Sequence, residues 1–131
     1  MRYMLLIYDC DRPEPGDPGF EEALAAVNAF ADECGRRGVF VAGDPLRPAS
    51  TATTVRVREG QTLITDGPFP ETHEQLGGYY IFDCRGLDEA LELAALCPMA
   101  QVGAIEVRPL AEVPGVHRPA NGLRAAVTDV D

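Results

Sequence analysis

Tyr3-Met4-Leu5-Leu6-Ile7-Tyr8-Asp9 reads as a β-strand, and both of its alternating faces are apolar. Tyr3, Leu5 and Ile7 fall on one side, Met4, Leu6 and Tyr8 on the other. Such a strand is buried on both faces. Tyr79-Tyr80-Ile81-Phe82-Asp83 repeats the pattern, with Tyr79 and Ile81 set against Tyr80 and Phe82. The remaining strand-like segments differ. Ala104 to Arg108 alternates Ile105 and Val107 with Glu106 and Arg108, and Val39 to Ala42 is short. These two belong at the outside of a sheet whose centre is formed by the Tyr3 and Tyr79 strands.

Two helices connect the strands. Asp17 is placed to N-cap the first, with Pro18 at its first position. Phe20, Ala23, Leu24, Val27, Phe30, Ala31 and Cys34 then follow helical spacing on one face. Glu21 and Glu22 lie near its start, Arg36 and Arg37 near its end, as the helix dipole favours, and Gly38 stops it. The second helix runs from Leu87 to Cys97 and ends at Pro98, with Leu87, Ala90, Leu91, Ala94 and Cys97 opposite a stripe of Asp88, Glu89 and Glu92. Between the helices, Thr53 to Arg58 and Gln61 to Thr65 form a hairpin about Glu59-Gly60. Asp66 to Gly78 is a loop. The order β-α-β-hairpin-β-α-β predicts a ferredoxin-like α+β sandwich. Both helices then cover one face of the sheet, leaving Tyr, Leu, Ile and Phe side chains on the other. A monomer rarely exposes so large an apolar patch, and the simplest cover is a second copy across a two-fold axis. A homodimer, paired sheet to sheet as an α+β barrel, is therefore expected.

The chain of 131 residues fits one domain, with Lys+Arg 11, Asp+Glu 21 and a formal net charge of −10. That balance argues against nucleic acid, whose affinity comes from cationic side chains on phosphates. Hydrophobic residues make up 46%, enough for a core. The apolar run Met4 to Tyr8 is far shorter than the roughly 20 residues of a membrane span, and acidic, Pro-rich sequence follows it instead of a cleavage site. No membrane partner is expected, and a cytoplasmic location is. Cys10, Cys34, Cys84 and Cys97 form no C-x-x-C motif, so reduced thiols are expected, with Cys34 and Cys97 as small core hydrophobes.

Asp66-Gly67-Pro68-Phe69-Pro70-Glu71-Thr72-His73-Glu74-Gln75-Leu76-Gly77-Gly78 resembles the signature loop of the YCII-related family, in the branch named for its Asp-Gly-Pro-Phe tetrapeptide. Met1 to Tyr8 resembles that family's first strand, Leu87 to Leu91 with Cys97-Pro98 its second helix, and Ile105 to Pro109 its last strand. The resemblance covers roughly residues 1–110 and sets the tail, 111–131, apart as irregular or partly ordered. It implies a dimeric α+β barrel, in agreement with the burial pattern, and no assigned reaction. Its superfamily includes monooxygenases, lyases and isomerases acting on small molecules. Genes of the branch often lie beside those of extracytoplasmic-function sigma factors, which implies a regulatory role as the alternative. Some relatives use a His–Asp pair, but the end of the first strand here offers Tyr8, Asp9, Cys10 and Asp11 and no His, and His73 stands where Lys is common.

Within this loop Asp66 has two readings. Its carboxylate holds an Asx-turn, or it serves as a general acid or base at the mouth of a cleft. His73, with an ordinary pKa near 6.5, is the candidate proton shuttle beside it. Tyr8 and Tyr80 are candidates to place hydroxyls in the cleft, Phe69 to contact a ligand ring or anchor the loop, and Arg47 and Arg56 to hold an anionic substrate. Gly77 and Gly78 suggest a close backbone approach. No metal site is expected, because Glu71, His73 and Glu74 fit no familiar ligand spacing. No cofactor is expected either, since neither a P-loop nor a dinucleotide fingerprint occurs. Two functions remain open: a small-molecule enzyme or binder using acid–base chemistry near this loop, or a non-catalytic dimeric ligand- or partner-binding module with a regulatory role.

Overall fold

The computed structural model describes residues 1–8, 11–68 and 75–116. Its elements are β1 (Arg2–Tyr8), α1 (Phe20–Arg37), β2 (Phe40–Pro45), β3 (Thr53–Arg58), β4 (Gln61–Asp66), β5 (Leu76–Asp83), α2 (Leu87–Leu96) and β6 (Ala104–Pro109). Four strands form one antiparallel sheet in the order β2-β5-β1-β6, and β3 pairs only with β4. β1 and β2 both run antiparallel to β5, so they are parallel to each other, and α1 is the crossover between them. The same holds for β5, α2 and β6 around β1. This is the ferredoxin-like α+β topology, with the doubly apolar strands β1 and β5 at its centre.

Alternation sorts the side chains between two faces. Tyr3, Leu5 and Phe82 join Phe30 and Cys34 of α1 and Ala90, Leu93 and Ala94 of α2 in the core, with Cys84 and Cys97. Phe82, Leu5, Leu93, Cys34 and Cys97 are fully enclosed. Burying a Leu or Phe side chain contributes about 1.5–3 kcal/mol each, so this helix-covered face dominates the stability. Met4, Leu6 and Tyr8 of β1, with Tyr79 and Ile81 of β5, take the opposite face and are half-buried. Phe82 is not on that open face as an exposed residue; it fills the core.

Several boundaries depart from expectation. Asp17 does not cap α1. Its carboxylate accepts the Glu14 N–H at 2.9 Å, and Gly19, at φ 84°, takes the cap position without a side-chain bond. The Pro18-Gly19 turn brings the chain into the helix two residues later than the sequence suggests. Gly38 ends α1 in the left-handed region, φ 69°, as expected. In α2 the buried stripe is Ala90, Leu93 and Ala94, while Leu87 and Leu91 are exposed. The spacing puts Leu87 and Leu91 on the inward face, but leucines at 87, 91, 93 and 96 surround that short helix, and packing turns Leu93 inward instead. β2 reaches Pro45 and β5 begins at Leu76, both longer than predicted, because the ladder continues past the apolar residues. No helix among the described residues is long and apolar enough to cross a membrane.

Candidate functional site

One end of the sheet gathers the segments that the sequence marked. There β1 ends at Tyr8, opposite Leu76 of β5 and Ala104 of β6. β2 ends with Asp44 opposite Tyr79 and Pro45 opposite Gly78. The Leu46 N–H donates to Gly77 O at 2.9 Å. Arg12, in the segment after β1, donates from its guanidinium to Gly77 O at 3.0 Å and to Leu46 O. One exposed arginine thus ties the ends of β2 and β5 together. Gly78 allows this approach: a Cβ there would lie 3.1 Å from Asp44 O.

Asp66 closes β4 and heads the loop that returns to Gln75 and β5. Its turn is held by other groups. The Gly67 N–H donates to Ala52 O at 2.8 Å, and the Thr54 hydroxyl donates to Gly67 O at 2.6 Å. Gly67 sits at φ 108°, a conformation that side-chain-bearing residues rarely adopt. The Asp66 side chain is exposed and takes no part in these bonds. Phe69 and His73, with Glu71 and Glu74, lie outside the described residues, as do Cys10 and His117.

Tyr8 and Tyr80 do not share a face. Tyr8 lies by alternation with Met4 and Leu6, on the side away from the helices. Tyr80 packs into the core, edge-on to Phe30 at 5.5 Å and stacked with Phe82 at 5.3 Å. Burial pushes its phenol up to about 12, so it stays protonated. Its ring covers Gly43, where a Cβ would come within 2.4 Å of Cδ1. Arg47 is exposed in the segment after β2, and Arg56 is exposed on β3, opposite Leu63. Burial acts on two core thiols in the same way: it pushes Cys34 up to about 11 and raises Cys84, favouring the neutral form.

Sequence reasoning missed Asp44 and Tyr79. The Tyr79 hydroxyl donates to Asp44 Oδ2 at 3.0 Å across the β2–β5 ladder. Only the register brings them together, and the sequence signal was limited to Tyr79 lying on the uncovered face. A concavity bounded by Arg85, Gly86, Leu87, Asp88 and Glu89 lies at the other end of β5 from these segments. There the Glu89 carboxylate accepts the Arg85 N–H at 3.0 Å and pairs with its guanidinium at 3.1 Å, a contact at the start of α2. Among the described residues no group of His, Cys, Asp and Glu could hold a metal ion.

The model of the YCII-related domain matches residues 1–114. An uncharacterised protein of Rhizobium meliloti (strain 1021) is 44% identical over 90 residues, covering 67% of this chain and 70% of that one. Among solved structures, the 5-chloro-2-hydroxyhydroquinone dehydrochlorinase TftG of Burkholderia phenoliruptrix AC1100, in complex with 2,5-dihydroxybenzoquinone, is similar at 15% identity. Its TM-score is 0.48, over 86% of this chain and 96% of that chain.

Proposed function

The chain belongs to the YCII-related family, and we propose that it works as a homodimeric small-molecule enzyme or binder whose acid–base chemistry rests on Asp66 and His73. The observation that carries this proposal is the position of Asp66. Main-chain groups and Thr54 hold its turn, while its own carboxylate stays exposed. A carboxylate fixed through its backbone but open to a ligand is preorganised to exchange a proton. Tyr8 and the Asp44–Tyr79 pair bring hydroxyl groups to the sheet end where the loop returns. Arg47 and Arg56 supply positive charge for an anionic substituent, Phe69 supplies a ring, and Tyr80 supports the strand from the core side. Pairing of two sheets covers Met4, Leu6 and Ile81. The compartment is the cytoplasm, where buried cysteines persist as thiols.

A ligand screen by thermal shift, run on wild type and Asp66→Asn in parallel, tests this function. A small molecule should stabilise both proteins. Its turnover by Asp66→Asn should fall by about 10²-fold or more with the melting temperature unchanged, since an amide cannot exchange the proton. Equal turnover by the two proteins would remove Asp66 from the chemistry.

A further inference from the structure

The β3–β4 ribbon stands apart from the body of its own protomer. Its strands pair with each other and with no strand of the four-stranded sheet. The register places Val55 against Ile64 and Val57 against Thr62 on one face, and Arg56 against Leu63 and Arg58 against Gln61 on the other. Val55, Val57 and Ile64 are 61%, 57% and 67% exposed. A lone two-stranded ribbon is marginal in water, and clustered exposed aliphatic side chains mark a surface that packs on something.

We propose that a second copy of this chain occupies the Val55–Val57–Ile64 face, so that each protomer's ribbon is an arm seated on its partner. The inference rests on the homodimer proposed above. Reach supports it: six strand residues at about 3.3 Å each extend about 20 Å, beyond the roughly 10 Å that separates two stacked sheets. The arm leaves the end of β2 and returns to the start of β5, the strand whose Tyr79 and Ile81 lie on the face away from the helices. Charge supports it too. Two chains of net charge −10 repel each other. The ribbon carries Arg56 and Arg58 against Glu59 and Asp66 and is neutral overall. A neutral ribbon on an acidic chain is a stretch of surface that meets a second copy without net repulsion. The consequence for the site is direct. Gly67, at the base of the arm, is bonded to Ala52 and Thr54, so the partner that seats the arm also positions the loop headed by Asp66.

Sedimentation equilibrium and concentration-dependent hydrogen exchange test the arm. The triple variant Val55→Thr, Val57→Thr, Ile64→Thr keeps β-branched residues in the strands while removing the apolar face. Its dimer dissociation constant should rise about tenfold or more with the melting temperature of the body retained. Arg56→Glu with Arg58→Glu, at exposed positions, should weaken the dimer independently of any effect of the triple variant on folding. In wild type, amide protection over 55–64 should disappear on dilution through the dissociation constant. A wild-type dimer whose constant neither variant changes would overturn the arm and leave the homodimer standing. A wild-type monomer would overturn both. Protection of 55–64 that is independent of concentration, or absent at every concentration, would assign the face to another occupant and overturn the inference.

Discussion

A methyl group on Gly43 would collide with the Tyr80 ring, which is itself wedged between Phe30 and Phe82. Gly43→Ala should therefore destabilise the fold by about 1–3 kcal/mol, as overpacking does, read as a lower urea midpoint at unchanged m-value. Combining it with Tyr80→Val should cost less than the sum of the single changes, because the collision is then removed. Titration should expose the same core. The Cys34 thiol is held neutral by burial, its pKa raised from 9.0 to about 11. Tyr80 moves from 10.0 to about 12 for the same reason. Both raised values favour the protonated fold, so their contribution is full below the unfolded values and is lost as pH rises through the folded ones. Urea midpoints should be level from pH 7 to about 9 and then fall toward pH 12. At the acid end, Arg37 and Arg36 hold the Glu33 carboxyl below its ordinary 4.5. Its contribution is present above that value and fades as pH falls, and a midpoint rising with acidification would contradict the pairing.

Each helix makes its own predictions, because each carries one residue whose role the sequence pattern did not settle. Leu93 is fully buried and Leu91 is 48% exposed, although the periodicity of α2 selects Leu91 for the core. Leu93→Ala should cost about 2–5 kcal/mol, while Leu91→Ala should stay within about 1 kcal/mol, measured by chemical denaturation. Equal costs would mean that the helix is rotated from the position described. In α1 the stop signal was legible, since Gly38 takes φ 69° and its N–H bonds to Cys34 O and Gly35 O. Gly38→Ala should cost about 1–2 kcal/mol, the penalty for a side chain in the left-handed region. The start signal was not legible. Asp17 has the right chemistry for a cap, but the turn from Glu14 takes up its carboxylate first.

For the whole molecule, the uncovered sheet face sets the expectation. Light scattering at micromolar concentration should give about twice 14.1 kDa. Leu6→Glu with Ile81→Glu places two carboxylates on that face and should return a folded monomer; a dimer that survives both would place the interface elsewhere. Beyond β6, Leu110 still donates to Arg2 O at 2.9 Å, and Glu112 reaches Arg2 at 3.4 Å on the surface. Such an exposed pair contributes less than about 1 kcal/mol. Truncation after Leu110 should leave cooperative unfolding intact, and its loss would show the tail to be structural.

The sequence by itself determined the element order, the two central strands and the antiparallel sheet, because hydrophobic period and burial on one or both faces are local properties of each segment. It also identified Gly38 and the Glu59-Gly60 turn, where backbone conformation selects the residue; Glu59 and Gly60 take φ 52° and 74°. It marked Asp66 as the residue to watch but left its two roles open. Only the tertiary structure decided that Ala52 and Thr54 hold that turn, that Tyr8 and Tyr80 face opposite ways, and that Asp44 meets Tyr79. Each of these depends on which strand lies beside which, and in what register. A shift of one residue along a strand exchanges its two faces, and no residue type announces its partner in a strand tens of positions away.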